Sequence, residues 1–347
     1  MRKILTLLLI LLLVVLAAAA WLILGPGTAF APKNKSFYVH TGKTDQASVM
    51  ATLHSAAYIK HPRLFESLAG QMGVWGKIQP GRYEIPNGYS LFHFLQDLKN
   101  GKTTPIHLIL TKVHTKEELA GALGTLFEPD SADVVHYLNN PDSTKVYGRD
   151  TDDVLTLVIP GTYQADWNST IPELIHQFQE EERRFWTPQR KASAEALGLT
   201  PTQAYILASI VEEETRKDSD KPLIASVYLN RLAKGMRLAA DPTVKYALRD
   251  FDLKRIYDKY TRVESPYNTY MNNGLPPGPI CTPSVKTLDA TLAAPKTDYL
   301  YFVAKADFSG YSTFAADYPT HLKNAKAYQE ALDSLADHRS ADRRSNN

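Results

Sequence analysis

The chain has 347 residues, 44% hydrophobic and 22% charged, with a formal net charge of +2, the composition of a folded protein with a substantial core. Once a membrane segment is set aside, the length corresponds to roughly two globular units, and the near-neutral charge, dispersed Lys and Arg and lack of an RNA- or DNA-binding motif exclude nucleic acid as the partner. The one cysteine, Cys281, rules out an intrachain disulfide and argues against a zinc-thiolate site, so a buried apolar thiol is its expected role.

Residues 4–24 read ILTLLLILLLVVLAAAAWLIL, a charge-free run long enough to span a bilayer as a helix. Arg2 and Lys3 precede it, which places residues 1–3 in the cytoplasm and the body of the chain outside. The run exceeds the ~7–15 apolar residues typical of a cleaved signal peptide and favours a retained anchor. Ala17 to Ala20 also fit a cleavage region, and under either reading the body is exported.

Residues 25–36 are rich in Gly, Pro and Lys and read as a linker. A strand is predicted at 37–39, helices at 45–59 and 62–72, a strand at 81–85, a helix at 90–98 and a strand at 106–110. Ser90 is placed to cap its helix, Leu91, Phe94, Leu95 and Leu98 form the apolar stripe, and Gly101 lies just past the end. Residues 37–110 thus read as a small α+β accessory or binding unit. A larger mixed α+β unit is predicted over 111–336. It begins with helices within 113–140, a polar loop at 147–153 and an apolar strand at 155–159 leading into Pro160-Gly161-Thr162-Tyr163. A charged amphipathic helix follows at 171–186, in which Glu180, Glu181, Glu182, Arg183 and Arg184 read as a solvated face. A strand pair is predicted within 299–315 and a final helix at 319–335. Residues 337–347 are polar and read as a disordered tail.

The most informative stretch is TPTQAYILASIVEEETRK, residues 200–217. Thr200 and Gln203 have the spacing of a capping box, with Pro201 at the first helical position. Ile206, Leu207, Ile210 and Val211 follow at helical spacing. At roughly 100° per residue, Glu214 falls near the middle of that apolar stripe. Glu213 lies about a right angle away and Glu212 almost opposite, so these two read as solvated surface. A carboxyl on the buried face is costly unless it is neutral, paired or hydrogen-bonded, and burial raises its pKa toward what a general acid needs. The same position also suits a carboxylate that caps the next loop or pairs with Arg231 or Arg237. Downstream, a helix is predicted at 218–234, capped by Ser219 or Asp220, and a short helix through Leu248, capped by Asp241. Tyr267-Asn268-Thr269-Tyr270 and the turn-rich Asn272-Asn273-Gly274-Leu275-Pro276-Pro277-Gly278 come next. Polar aromatics and amides beside a buried acid suit a carbohydrate groove; the loop's Gly, Pro and Asn content equally suits turn chemistry alone.

ILASIVEEET, SVYLNRLAKGMRLAADPTVKYAL, SPYNTYMNNGLPPGPICTPSVKTLDA and YLYFVA, in that order, resemble the endolytic murein transglycosylase family (MltG/YceG-like). The resemblance is strong over 150–330. It is weaker over the accessory unit, where KIQPGRYEI and the following helix are similar to that family's LysM-like subdomain. It implies a single transmembrane anchor in the bacterial inner membrane and an extracytoplasmic catalytic domain. The implied reaction cleaves the MurNAc-β-1,4-GlcNAc bond within nascent peptidoglycan strands and leaves a 1,6-anhydro-MurNAc end, with cell-wall synthesis machinery as an implied partner. The family's catalytic glutamate, the second of Glu-x-Glu-Thr, falls on Glu214, the residue that helix geometry singles out independently. Arg231, Asp241, Tyr267 and Asn268 match motif positions and are expected substrate contacts, with packing as the competing role for each.

No metal or other cofactor is expected, since the ten histidines show no ligand spacing. The chain departs from many relatives where Leu155-Thr156 replace a Glu-Gly pair, where Gly161 replaces an acidic residue, and where Lys112 and His114 stand near a missing Glu-Gly-Trp-like element. The alternatives to a lyase are a non-catalytic peptidoglycan-binding or division scaffold, a hydrolase pairing Glu214 with Asp241, and an enzyme facing the cytoplasm.

Overall fold

In the computed structural model, which describes residues 2–55 and 57–345, the charge-free run near the N-terminus lies within α1 (Arg2–Leu24). No residue of α1 is buried. Among the described residues it is the one helix long and apolar enough to cross a membrane. Residue 1 of the expected cytoplasmic stub and residues 346–347 of the expected tail lie outside the described residues.

The rest is mixed α+β and divides into two compact units. The first takes the chain to Leu108, together with Leu123–Asp130 and Tyr163–Ile171. Its β1 (Asn34–Val39) and β2 (Gly81–Pro86) pair antiparallel, with Phe37 opposite Tyr83. Alternate residues Tyr83 and Ile85 point inward, as a half-buried strand requires. Against this ribbon lie α2 (Gln46–Ser55), α3 (Pro62–Gln71) and α4 (Leu91–Lys99). Ser90 caps α4 by accepting from the His93 N–H, and Leu91, Phe94, Leu95 and Leu98 are buried. Phe37 meets Tyr58 and Phe94 edge-on, at ring separations of 5.3 and 5.8 Å. The predicted linker is partly structured: its last residues belong to β1, Thr28 bridges to Ile59, and the Lys60 N–H donates to the Gly27 carbonyl at 2.9 Å. Gly27 lets the chain lie close to α4, since a Cβ there would strike Leu91.

The second unit comprises Ile109–Ala122, Ser131–Thr162 and the chain from Pro172. Between β3 (Ile106–Leu110) and β4 (Gly161–Ala165) lie α5 (Lys116–Leu126), whose last residues belong to the first unit, α6 (Ser131–Leu138) and α7 (Pro141–Lys145). Then follow α8 (Ile171–Phe185), α9 (Pro188–Ala196), α10 (Pro201–Glu214), α11 (Lys221–Ala233), α12 (Asp241–Leu248) and α13 (Val285–Leu292). The hairpin β5 (Tyr301–Ala304) and β6 (Ser312–Ala315) and the long α14 (Tyr318–Ser345) complete it.

Its centre is α10. Every residue from Ala204 to Val211 is buried. One face packs Leu207, Ile210 and Val211 with Ile224, Tyr228 and Leu238, while another packs Ala204, Tyr205 and Ala208 with Phe185, Trp186 and Leu288. The capping box forms as predicted, the Thr200 hydroxyl accepting from the Gln203 N–H and the Gln203 side chain from the Thr200 N–H. Thr200→Ala removes that cap and is expected to cost about 1 kcal/mol, read as a lowered thermal midpoint with unchanged side-chain packing.

Several local expectations give way to tertiary contacts. Residues 155–159 do not form a strand: Val154–Leu157 is a buried 3₁₀ turn, closed by the Thr156 N–H on the Asp153 carbonyl, and the strand begins at Gly161 instead. Glu182 is not solvated. It is buried and pairs with Arg149 at 3.0 Å, whereas Glu180 and Glu181 make the exposed pairs expected of a helix surface, with Arg183 and Arg184. Asp220 stands at the α11 N-cap without capping it, because its carboxylate accepts from the Ser312 N–H. Ala240, not Asp241, is the α12 N-cap. The last helix runs past residue 335, through a segment that holds neither Pro nor Gly to stop it. Cys281 is fully buried.

Candidate active site

The C-terminal turn of α10 carries three glutamates, and each has its own environment. Glu212 accepts from Ser284 Oγ at 2.9 Å and from the Thr287 hydroxyl, with Lys221 Nζ 3.7 Å away. Glu213 takes Lys112 Nζ at 2.6 Å and lies 3.4 Å from His114 Nε2. Burial works against the Glu213 carboxylate, but hydrogen bonds from His114 and Lys112 outweigh it and hold its pKa at about 2. The same contact raises His114, whose ring stacks on Phe251 at 4.3 Å. The two glutamates read as solvated surface are therefore half-buried and partnered. They pin the end of α10 to the segments at 112–114 and 284–287. Lys112 and His114 serve that anchoring.

Glu214 is the last residue of α10, followed by Thr215 in extended conformation. Its side chain opens on a cavity of about 310 Å³, near the lower limit for small-molecule sites. The fully buried Tyr228 of α11 donates its hydroxyl to Glu214 Oε1 at 2.5 Å. Desolvation pushes the Glu214 pKa from 4.5 to about 7. The Tyr228 hydrogen bond opposes that rise, the Asp241 charge adds to it, and Arg231 and Lys245 pull back. The negative end of the α10 dipole further disfavours an anion at this position. A carboxyl held between charged and neutral near pH 7 can both give and take a proton.

The remaining walls come from four further elements and two loop segments. Arg231 on α11 is fixed by its own donors, Nε to the Leu300 carbonyl at 2.7 Å and Nη1 to the Leu238 carbonyl at 2.6 Å. Asp241, in the first turn of α12, accepts from the Tyr270 hydroxyl at 2.6 Å. Leu238, Ala239 and Phe302 supply apolar surface, and His321 of α14 closes the lining.

Of the residues expected from sequence, Glu214, Arg231 and Asp241 thus meet at one cavity. Tyr267 and Asn268 stand behind it. The Tyr267 ring packs on Tyr246 at 4.5 Å, and its hydroxyl lies at Gly278, where an added Cβ would clash with the Asp152 carbonyl. The glycine there is needed for close backbone approach. Asn268 is fully buried. Its amide donates to the carbonyls of Thr261 and Val263, and its oxygen accepts from the Tyr270 N–H. It braces the loop that presents Tyr270 to Asp241.

Tyr228, Phe302 and His321 are wall residues that sequence reasoning missed, while Tyr270 belongs to the stretch read as suiting a carbohydrate groove. Tyr228 and Glu214 each sit on a buried helix face, but nothing in two separate periodicities says that the faces meet.

The YceG-like family matches residues 37–327. An endolytic murein transglycosylase of Bacillus subtilis (strain 168) is 28% identical over 297 residues, 81% of each chain. One from Streptococcus pneumoniae (serotype 2, strain D39) is 28% identical over 306 residues, 78% of this chain and 55% of that protein, so the chain spans about half its length. The 2.6 Å crystal structure of a yceG-like protein from Listeria monocytogenes superposes with a TM-score of 0.55 at 25% identity, covering 84% of this chain and 99% of that one. With the family matched across both units of the fold, the chain belongs to the YceG-like family.

Proposed function

We propose that this protein is an endolytic lytic transglycosylase of peptidoglycan, with Glu214 as its acid and then its base. The observation that carries the reading is a carboxyl at a cavity wall whose pKa burial lifts to about 7. The names of the Bacillus and Streptococcus relatives support the same chemistry.

In the first half, protonated Glu214 gives its proton to the bridging oxygen as the MurNAc C1–O bond breaks. In the second, the resulting carboxylate takes the proton of the MurNAc C6 hydroxyl while O6 bonds to C1. No water is consumed, so one carboxyl suffices where hydrolytic glycosidases use two. The internal nucleophile gains from proximity what a second base would supply. The Tyr228 hydroxyl, itself held protonated by burial and by the Glu214 charge, steadies the carboxylate between the halves and leaves the second oxygen for the sugar. Arg231 and Asp241 are the groups proposed to meet substrate; Asn268 braces the loop that presents Tyr270 to Asp241, and Tyr267 packs behind on Tyr246.

The wider arrangement belongs to the same proposal. α1 anchors the chain in the inner membrane, residues 1–3 face the cytoplasm, and the body faces the peptidoglycan. Residues 37–110 act as a LysM-like accessory subdomain and 111–336 as the catalytic domain, working beside cell-wall synthesis machinery. Mass spectrometry of the fragments released from purified strands tests the reaction. Anhydro ends, one water lighter than reducing ends, are expected; reducing ends alone would make the protein a hydrolase, and no cleavage would make it a scaffold.

The pH dependence follows from the same group. Activity needs Glu214 protonated, so kcat/KM is expected to fall as pH rises through about 7. Tyr228→Phe removes the hydrogen bond that lowers this pKa and should move the alkaline limb upward by on the order of one pH unit. A pH–rate profile with an unmoved limb would separate Tyr228 from the proton transfer.

A further inference from the structure

Among the described residues, three buried side-chain polar atoms lack a hydrogen-bond partner, and of these only His321 Nδ1 belongs to a residue lining the Glu214 cavity. Native folds leave few buried polar atoms unpaired, and those few call for a reason. The His321 ring is firmly placed. It stacks on Tyr301 at 5.1 Å and 23°, and its own backbone N–H is fixed on the Asp317 carbonyl at 3.1 Å. Tyr301 also carries the Arg231 guanidinium 5.3 Å from its ring centre, so one aromatic plate positions two cavity residues.

The orphan nitrogen selects the tautomer. A buried N–H without an acceptor is rarer than a buried lone pair without a donor, so Nδ1 holds the lone pair and Nε2 carries the hydrogen. His321 lines the cavity, and with Nδ1 buried its remaining ring nitrogen is Nε2–H. Burial and the nearby Arg231 charge both lower the His321 pKa, which keeps the ring neutral. The Tyr228 and Tyr270 hydroxyls are already spent on Glu214 and Asp241. His321 therefore supplies a neutral donor to the cavity that the apolar Leu238 and Phe302 also line. An acetamido group, a carbonyl oxygen carrying a methyl, has the matching shape.

We propose that His321 is a further substrate-contacting residue of this site, its Nε2–H donating to the N-acetyl carbonyl of an amino sugar whose methyl lies against Leu238 and Phe302. The inference rests on the cavity being the glycan site and names a determinant of its specificity.

The test compares the full-length protein in detergent on N-acetylated strands and on the same strands chemically de-N-acetylated. His321→Phe keeps the stacked ring and removes the donor; His321→Gln restores an N–H. The wild type is expected to lose about 10-fold in kcat/KM on de-N-acetylated strands, the worth of one good hydrogen bond. His321→Phe should lose about as much on N-acetylated strands and little more on de-N-acetylated ones, with a thermal midpoint matching the wild type. His321→Gln should recover most of the loss. Full activity of His321→Phe, or equal penalties from its loss on both strands, would overturn the contact. Strand binding in a Glu214→Gln background separates the two ideas. If that background binds N-acetylated strands better than de-N-acetylated ones only while His321 is present, the contact stands even if the wild type yields no anhydro ends.

Discussion

Glu214→Gln is expected to slow the release of anhydro-ended fragments by roughly 10³-fold or more while making the protein more stable at alkaline pH. Gln keeps the shape and the acceptor for Tyr228 but can neither give nor take a proton. The stability arm follows from linkage. Native Glu214 titrates at about 7 against 4.5 for the free group. Above pH 4.5 the unfolded chain releases this proton more readily than the native one, so stability declines as pH rises from 4.5 to about 7 and stays lowered beyond. The cost is at most about 3 kcal/mol, and relief by Gln on the order of 1–3 kcal/mol is expected at pH 8, vanishing near pH 4. A merely structural carboxylate held by a cation would behave oppositely, because Gln would weaken the pair and lower the melting temperature. Activity assays and melts at both pH values read the two arms together.

Arg149→Met is expected to cost about 3–5 kcal/mol, the usual consequence of stranding a buried charge. Arg149 donates Nη2 to Glu182 at 3.0 Å and Nε to Thr156 Oγ1 at 2.8 Å. Glu182 is 9% exposed, and burial already raises its pKa against the pull of Arg149. Without the guanidinium the carboxyl must stay buried alone or take up a proton. Replacing both partners, Arg149→Met with Glu182→Leu, should recover most of the loss, since a packed apolar pair needs no desolvation compensation. The consequence reaches the site through the 3₁₀ turn at 154–157. The Val158 carbonyl just beyond it accepts from the Tyr205 hydroxyl of α10 at 2.5 Å. Thermal unfolding of the single and double variants reads the effect, and a single variant that melts with the wild type would show the pair to be dispensable.

Signals that act over a few residues were legible in the sequence. The Ser90 and Thr200 caps, the membrane-length apolar run and the period of α4 each need only neighbours along the chain. The helix wheel also chose Glu214, although the surroundings of that choice differ from a simple two-sided helix. α10 is buried from Ala204 to Val211 because α11, α13 and the 154–157 segment cover it from several sides. Glu212 and Glu213 then find partners more than 70 residues away rather than water. Long-range pairing of this kind explains most of the differences. Asp220 and Asp241 carry cap chemistry but spend it on Ser312 and Tyr270. Glu182 sits in a charge run yet meets Arg149. Asn268, read as a sugar contact, is consumed by three backbone groups of its own loop. His321 joins the cavity only because α14 returns over β5, which no local pattern encodes.

Direct titration of the Glu214 carboxyl reaches the central claim with the fewest assumptions. Carbon-13 carboxyl spectra of glutamate-labelled protein, recorded across pH with Glu214→Gln as the subtraction control, isolate its resonance. An inflection near 7 is predicted; an inflection at the ordinary value of 4.5 would leave no proton on Glu214 to lend at neutral pH and would contradict the account.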